Sequence, residues 1–238
     1  MSLKGKKVIV IGGSSGIGLA TARAVAAAGA RVVIAGRSAQ KLERARGEIG
    51  GRPGLVALDV TRDEEVRNFF ERAGEFDHLV TTAAAGATGS FLDLPPEAVR
   101  DLFESKFWGQ YRAARYAAGQ IREGGSITFF SGVASQKPLP GFSSFAAVNG
   151  AVNALCRALA VELAPVRVNA ISPGIIETPA YAAMEAEVRQ EFFDRTAAAL
   201  PAGRIGRPAE VAEAVLFLMR NGFVTGAVLD IDGGGRLS

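Results

Sequence analysis

Apolar positions along this chain change their period repeatedly. Short runs that are almost entirely apolar alternate with stretches whose apolar residues recur every three or four positions. KKVIVIG, residues 6–12, is β-branched and unbroken by polar residues, which predicts a buried strand. GIGLATARAVAAAG, 16–29, has helical spacing, with Leu19, Ala22, Val25 and Ala26 on one face and Gly29 closing the helix. RVVIAG, 31–36, is a second strand, and SAQKLERARGEIG, 38–50, a second helix with Ser38 at its N-cap. LVALDV (55–60) and DHLVTTA (77–83) predict two further strands around a polar helix at 62–73. A long helix is expected over 97–122, then a strand in GGSITFFSG (124–132) and a second long helix over 143–163. VRVNAIS (166–172), a helix over 208–220 and AVLDIDGG (227–234) complete the series.

Regular alternation with nearly all-apolar strands predicts a parallel sheet covered by helices on both faces. Residues 1–238 contain no internal repeat and no low-complexity linker, so one domain is expected. The one long interruption, 174–207, is expected to form a lid or substrate loop.

Composition narrows the class. Glycine supplies 29 of 238 residues, too many for a plain helical bundle, and without the fixed period of collagen. The single cysteine, Cys156, forms no internal disulfide, and with the single histidine, His78, makes no His/Cys zinc site; no metal is expected. His78 reads as structural or exposed, and Cys156 as a small core or interface residue. Lys and Arg total 27 against 24 acidic residues, a net charge of +3 with no dense basic block, so no nucleic-acid partner is expected. The apolar run after Lys7 is too short for a signal peptide, and no stretch approaches the length of a membrane span. The reading is a soluble, cytoplasmic protein with no membrane partner.

The glycines acquire a reason at IGGSSGIG. Gly12, Gly16 and Gly18 lie between the first strand and the first helix. Gly12 permits a tight turn, Gly16 lets the backbone approach a pyrophosphate, and Gly18 lets helix and strand pack closely. The helix N-terminus then offers free N–H groups and a positive dipole end to phosphate. This context of strand, turn and helix predicts a nucleotide site.

The spacing G-x-x-x-G-x-G resembles that of the short-chain dehydrogenase/reductase family. The resemblance extends over nearly the whole chain: GGSSGIG, Asp59-Val60 after the third strand, RVNAISPG at 167–174, Thr178, and TGAVLDIDGG at 225–234. It implies a single-domain α/β Rossmann fold with a doubly wound, seven-stranded parallel sheet, and a homo-oligomer, dimer or tetramer. It also implies that Phe107 and Trp108 pack in a helical dimer interface. Cofactor contacts carried over are Gly12, Ser14, Ser15, Gly16, Ile17 and Gly18 at the turn, with Asp59 and Val60 at the adenine. Ala83, Pro173, Gly174, Ile175, Ile176 and Thr178 complete the set, Ile175 and Thr178 bordering the nicotinamide amide.

An acidic residue ending the second strand would hold the ribose of NAD. Here Gly36-Arg37-Ser38 follow, with no carboxylate. Arg37 offers a fork for a 2′-phosphate, and Ser14 and Ser38 offer hydroxyls, so NADP(H) is favoured over NAD(H).

The family's proton chemistry uses Ser, a Tyr thirteen residues later, a Lys four beyond that, and an Asn on the preceding helix. Aligned through SGVASQKPLPGFSSFAAVNGAV, those positions hold Gly132, Phe145, Asn149 and Lys106. The usual Asn-Asn-Ala-Gly after the fourth strand is Thr81-Thr82-Ala83-Ala84, and Ile11 stands where a Thr is usual. No Tyr-x-x-x-Lys occurs anywhere; the tyrosines are Tyr111, Tyr116 and Tyr181. Three readings stand. One is an NADP(H)-dependent oxidoreductase acting on a small molecule by another proton route, with Lys106 or Tyr181 as substitutes and Ser131, Ser143 and Ser144 as nearby hydroxyls, or on a substrate such as an iminium that needs no proton. The second is an inactive NADP(H)-dependent sensor or scaffold. The third is a non-redox enzyme using the cofactor as part of its pocket wall.

Overall fold

The apolar runs assemble into one seven-stranded parallel sheet. In the computed structural model, which describes residues 2–83, 86 and 88–238, the strands are β1 (Lys7–Ile11), β2 (Arg31–Gly36), β3 (Gly54–Ala57) and β4 (Phe76–Thr81). Then come β5 (Ile121–Phe130), β6 (Arg167–Pro173) and β7 (Val228–Ile231). Their order is β3-β2-β1-β4-β5-β6-β7, a doubly wound arrangement that reverses direction between β1 and β4. Ile11 pairs with Ala35 on one side and Thr81 on the other, so the carboxyl ends of β1, β2 and β4 finish side by side.

Alternation along β1 feeds two cores. Val8 and Val10 point to a layer filled by α1 (Gly16–Ala27), α2 (Ala39–Ile49) and α8 (Pro208–Arg220). Ile9 and Ile11 point to the other, filled by α3 (Asp63–Ala73), α5 (Gly109–Ala117) and α6 (Ser143–Glu162). These four side chains are at most 1% exposed, each contributing about 1.5–3 kcal/mol by burial. The amino ends of the strands are tied by Asp77, which accepts from Lys6 Nζ at 2.8 Å, the Lys7 amide at 2.7 Å and Arg122 at 3.3 Å. Burial pushes this carboxyl up, but those donors outweigh it and hold it below its ordinary range.

Several boundaries differ from expectation. The third strand ends at Ala57 and the fourth at Thr81, so Asp59, Val60, Thr82 and Ala83 lie in the loops beyond. Ala84, the last of the four residues expected after the fourth strand, lies outside the described residues. The helix expected over 97–122 is α4 (Pro96–Leu102), a π-helical segment (Phe103–Trp108), α5 and a 3₁₀ turn (Ala118–Gln120). Ile121 and Arg122 belong to β5, because Ile121 pairs with Phe76. The 174–207 interruption carries a 3₁₀ turn (Pro179–Tyr181) and α7 (Ala186–Ala199). Ser38 caps α2, its hydroxyl accepting from the Lys41 amide at 3.3 Å. The expectation that no stretch approaches a membrane span needs correction. By length and composition α6 is long and apolar enough, with Val148, Val152 and Cys156 fully buried and a third of the apolar window buried in all.

Candidate active site

The β1–α1 turn is shaped by what its glycines exclude. Gly12 has φ +85°, and a Cβ there would lie 2.7 Å from the Ala83 amide nitrogen. A Cβ on Gly18 would run into the Gly12 carbonyl oxygen and lie 2.6 Å from the Thr82 hydroxyl. Gly13, not singled out from the sequence, sits equally tightly, its missing Cβ 2.6 Å from Ile34 Cγ2. Gly16, at φ +52°, opens α1. The N-cap Ser15 is extended and its side chain makes no capping bond, so the first N–H groups of α1 remain available at the turn.

Above this turn lies a cleft of about 940 Å³. Its floor is Gly12, Ser14, Ser15, Gly16, Ile17 and Gly18. One end is lined by Arg37, Ser38, Lys41 and Arg44, with Asp59 and Val60 beside them. Lys41 and Arg44 were missed in the sequence, although they stand three apart on α2 and so share a face just after the Arg37-Ser38 entry to the helix. Burial pushes the Asp59 carboxyl up, but the Thr61 amide and hydroxyl, at 3.0 and 2.8 Å, and the Arg37 charge together hold it below its ordinary range. The other end reaches Thr82, Ala83, Ser105, Phe130 and Thr178. Pro173, Gly174, Ile175 and Ile176 do not line this cleft. Pro173 pairs with Ile231, Gly174 abuts Asp232, and Ile176 is 4% exposed within the core.

Lys106, Gly132, Phe145 and Asn149 do not line the cleft either; they come together behind its second end, next in sequence to Ser105 and near Phe130, which do. The π-helical turn buries Ser105 and Lys106 while Trp108 stays 43% exposed. Lys106 Nζ donates to the Ser131 carbonyl oxygen at 2.9 Å and stands 5.5 Å from the centroid of the Phe145 ring. Among the described residues no carboxylate pairs with it. Burial pushes its pKa down to about 8. Gly132 is extended, and a Cβ there would lie 2.8 Å from Asn149 Nδ2, which donates to the Gly132 carbonyl oxygen at 3.3 Å. The Asn149 side chain thus fills the space a residue-132 side chain would need. Its Oδ1 is buried without a partner, as is the Ser144 hydroxyl. Ser131 Oγ donates to the Asn149 carbonyl oxygen at 3.2 Å, and Ser143 is exposed.

The other singled-out residues lie apart from this cluster. Tyr181 packs against Phe192 and Phe193, and burial pushes its hydroxyl pKa up. Tyr116 donates to Asp63, and Tyr111 packs with Phe107 and Trp108. His78 is 3% exposed, bonded to Ser126 at 2.9 Å, and burial drives its pKa down to about 4. Cys156 is buried, and desolvation pushes its thiol up to about 12. Among the described residues no cluster of metal-ligating side chains occurs.

A family model described as Enoyl-(Acyl carrier protein) reductase matches residues 11–235. The cis-4-hydroxycyclohexanecarboxylate dehydrogenase of Sinomonas cyclohexanicum is 36% identical over 239 residues, covering 95% of this chain and 94% of its own. A solved structure described as a short chain dehydrogenase/reductase family protein is 38% identical, with a TM-score of 0.90 and all of both chains covered. Another, a small-chain dehydrogenase in complex with NADPH, is 37% identical with a TM-score of 0.88, covering 99% of this chain and 100% of its own.

Proposed function

This chain belongs to the short-chain dehydrogenase/reductase family, and from that premise we propose that it is an NADP(H)-dependent oxidoreductase acting on a small molecule. In this reading the family's proton-handling quartet is replaced by Lys106, Gly132, Phe145 and Asn149. The observation that carries the cofactor assignment is the glycine-floored cleft with Arg37, Lys41 and Arg44 at one end. A dinucleotide fits the site: the spaces a Cβ would fill at Gly12 and Gly18 are taken by backbone in close approach, and the free α1 N–H groups suit a pyrophosphate.

The roles follow from the chemistry of each wall. Arg37 and its neighbours on α2 hold the 2′-phosphate, since each gives charge-assisted hydrogen bonds and no carboxylate ends β2 to repel it. Asp59 and Val60 border the adenine, and Thr178 holds the nicotinamide end. Bound NADPH supplies a hydride. Residues 174–207 close the substrate side, with Tyr181, Phe192 and Phe193 as an apolar cluster in that segment. The aromatic face of Phe107, Trp108 and Tyr111, with Val161 of α6 79% exposed, supports self-association through α5 and α6. Light scattering is expected to give a dimer or tetramer; a monomer would remove that part.

Calorimetric titration and NADPH oxidation test the function together. NADPH is expected to bind more tightly than NADH, and to be oxidised above its background decay by some member of a panel of ketones, imines and enones. Absence of NADPH binding would overturn the reading. Binding without turnover would favour the second reading, a dinucleotide-dependent sensor. That reading is supported by Phe145, which has no exchangeable proton, and by Asn149 filling the space beside Gly132.

A further inference from the structure

A Met or Leu at residue 106 would fill the same space at no electrostatic cost, yet the chain buries an ammonium there with no counter-ion among the described residues. We propose that Lys106 is the proton donor of the reaction: its Nζ, set beside the cleft by the π-helical turn, replaces the hydroxyl missing at Phe145 and protonates a substrate carbonyl oxygen. This rests on the oxidoreductase reading above.

Placement is the first argument. Ser105, the residue before Lys106, lines the cleft, and so does Phe130, the residue before the Ser131 that accepts from Nζ. Lys106 itself is buried and does not line the cleft; its ammonium is held behind the wall, one residue along the chain from a lining residue on each of two elements. Hydrogen-bond capacity is the second. An ammonium has three N–H donors. One serves the Ser131 carbonyl, the Phe145 ring at 5.5 Å offers only a π face, and among the described residues no carboxylate competes. Acidity is the third. Burial lowers the Lys106 pKa to about 8, which keeps it largely protonated at neutral pH yet acidic enough to give the proton up. The tyrosines are engaged elsewhere: Tyr181 with Phe192 and Phe193, Tyr116 with Asp63, and Tyr111 with Trp108.

The step balances. The carbonyl carbon receives hydride and is reduced by two electrons, while NADPH is oxidised by two. The C=O π pair moves to oxygen, and that oxygen takes a proton from Nζ. The neutral amine then regains a proton from water, and the product is the alcohol.

A substrate that is already a cation needs no such proton, and this gives the test. Wild type, Lys106→Gln and Lys106→Arg are compared on aryl ketones, β-keto esters and α-diketones, and on the preformed iminium N-methyl-3,4-dihydroisoquinolinium. NADPH affinity is measured for each by fluorescence titration. Gln keeps a donor for the Ser131 carbonyl and Arg keeps the charge, but neither gives up a proton at neutral pH. Both variants are expected to bind NADPH as wild type does, to reduce the iminium as wild type does, and to lose carbonyl turnover by on the order of 10²–10⁴-fold. Full carbonyl activity in Lys106→Arg would make the role electrostatic and overturn the proposal. Equal loss on both substrate types, or lost NADPH binding, would make it structural and overturn it as well. Should Lys106→Gln fail to fold, Lys106→Arg decides; should Lys106→Arg fail, wild-type carbonyl turnover that stays flat as pH rises through about 8 overturns the proposal. A wild type that reduces the iminium but no carbonyl defeats the proposal and leaves the oxidoreductase reading standing. One that binds NADPH and reduces neither defeats that reading.

Discussion

The two ends of the cleft are built on different principles. At the β1–α1 turn the backbone does the work: Gly12 and Gly18 each sit where a single added carbon would strike main chain. At the far end side chains do it: Asn149 occupies the space beside Gly132, and the Lys106 ammonium faces the Phe145 ring. Gly12 and Gly18 leave no room for a side chain because backbone cannot yield. The second accepts coordinated replacement, since any set of side chains that fills the volume and satisfies the polar groups keeps the fold intact. The glycine turn and the Lys106–Asn149 cluster can therefore be perturbed separately.

Gly18→Ala is the strongest way to break this contrast. Its methyl meets the Gly12 carbonyl, so NADPH affinity is expected to fall on the order of 10²-fold or more, with a loss of roughly 1–3 kcal/mol in stability. Calorimetry and urea denaturation read both. Phe145→Tyr in parallel should leave both unchanged, and comparable damage from the two variants would erase the distinction.

The charge at the other end has a pH signature. Lys106 has a folded pKa of about 8, below its ordinary 10.5, so between those values the unfolded chain holds more protons than the folded one. Stability contributed by this site therefore rises with pH across that window. Compared with Lys106→Met, wild type should gain on the order of 3 kcal/mol from pH 8 to 10.5. A stability difference between the two proteins that stays flat over that range would show the ammonium is not desolvated.

Arg37→Ala sharpens the comparison within the backbone-built end, because it removes a side chain and leaves the turn intact. About 1.5–3 kcal/mol of NADPH affinity should be lost, with NADH affinity unchanged. Equal losses for both dinucleotides would place Arg37 away from the 2′-phosphate.

The smallest effect expected is at Gly132. A side chain there lies 2.8 Å from Asn149 Nδ2, so Gly132→Ser should cost on the order of 1–2 kcal/mol. Adding Asn149→Ala removes the obstacle, and the double variant should lose less than the sum of the singles. Strict additivity in urea denaturation would deny the coupling.

How much of this was legible depended on what each feature needs. The glycine turn was readable because only glycine permits those approaches, and helix spacing was readable because α1, α6 and α8 bury one face. Lys41 and Arg44 were overlooked because nothing in a solvated-looking helix says which side meets a cleft, although their three-residue spacing on α2 carried the hint. The π-helical turn was invisible, since its register depends on tertiary packing around Ser105 and Lys106 rather than on propensity.

By itself the sequence determined the alternation of strand and helix, the position of the glycine turn, and the absence of Tyr-x-x-x-Lys, because local period and residue type decide these. Only the tertiary structure decided that Lys106, Gly132, Phe145 and Asn149 meet as one unit, that Asn149 fills the space beside Gly132, and that the lysine is desolvated with no counter-ion among the described residues. Those are properties of contacts between the π-helical segment, the end of β5 and α6. Residues far apart in the chain acquire such properties only when the sheet brings their elements together.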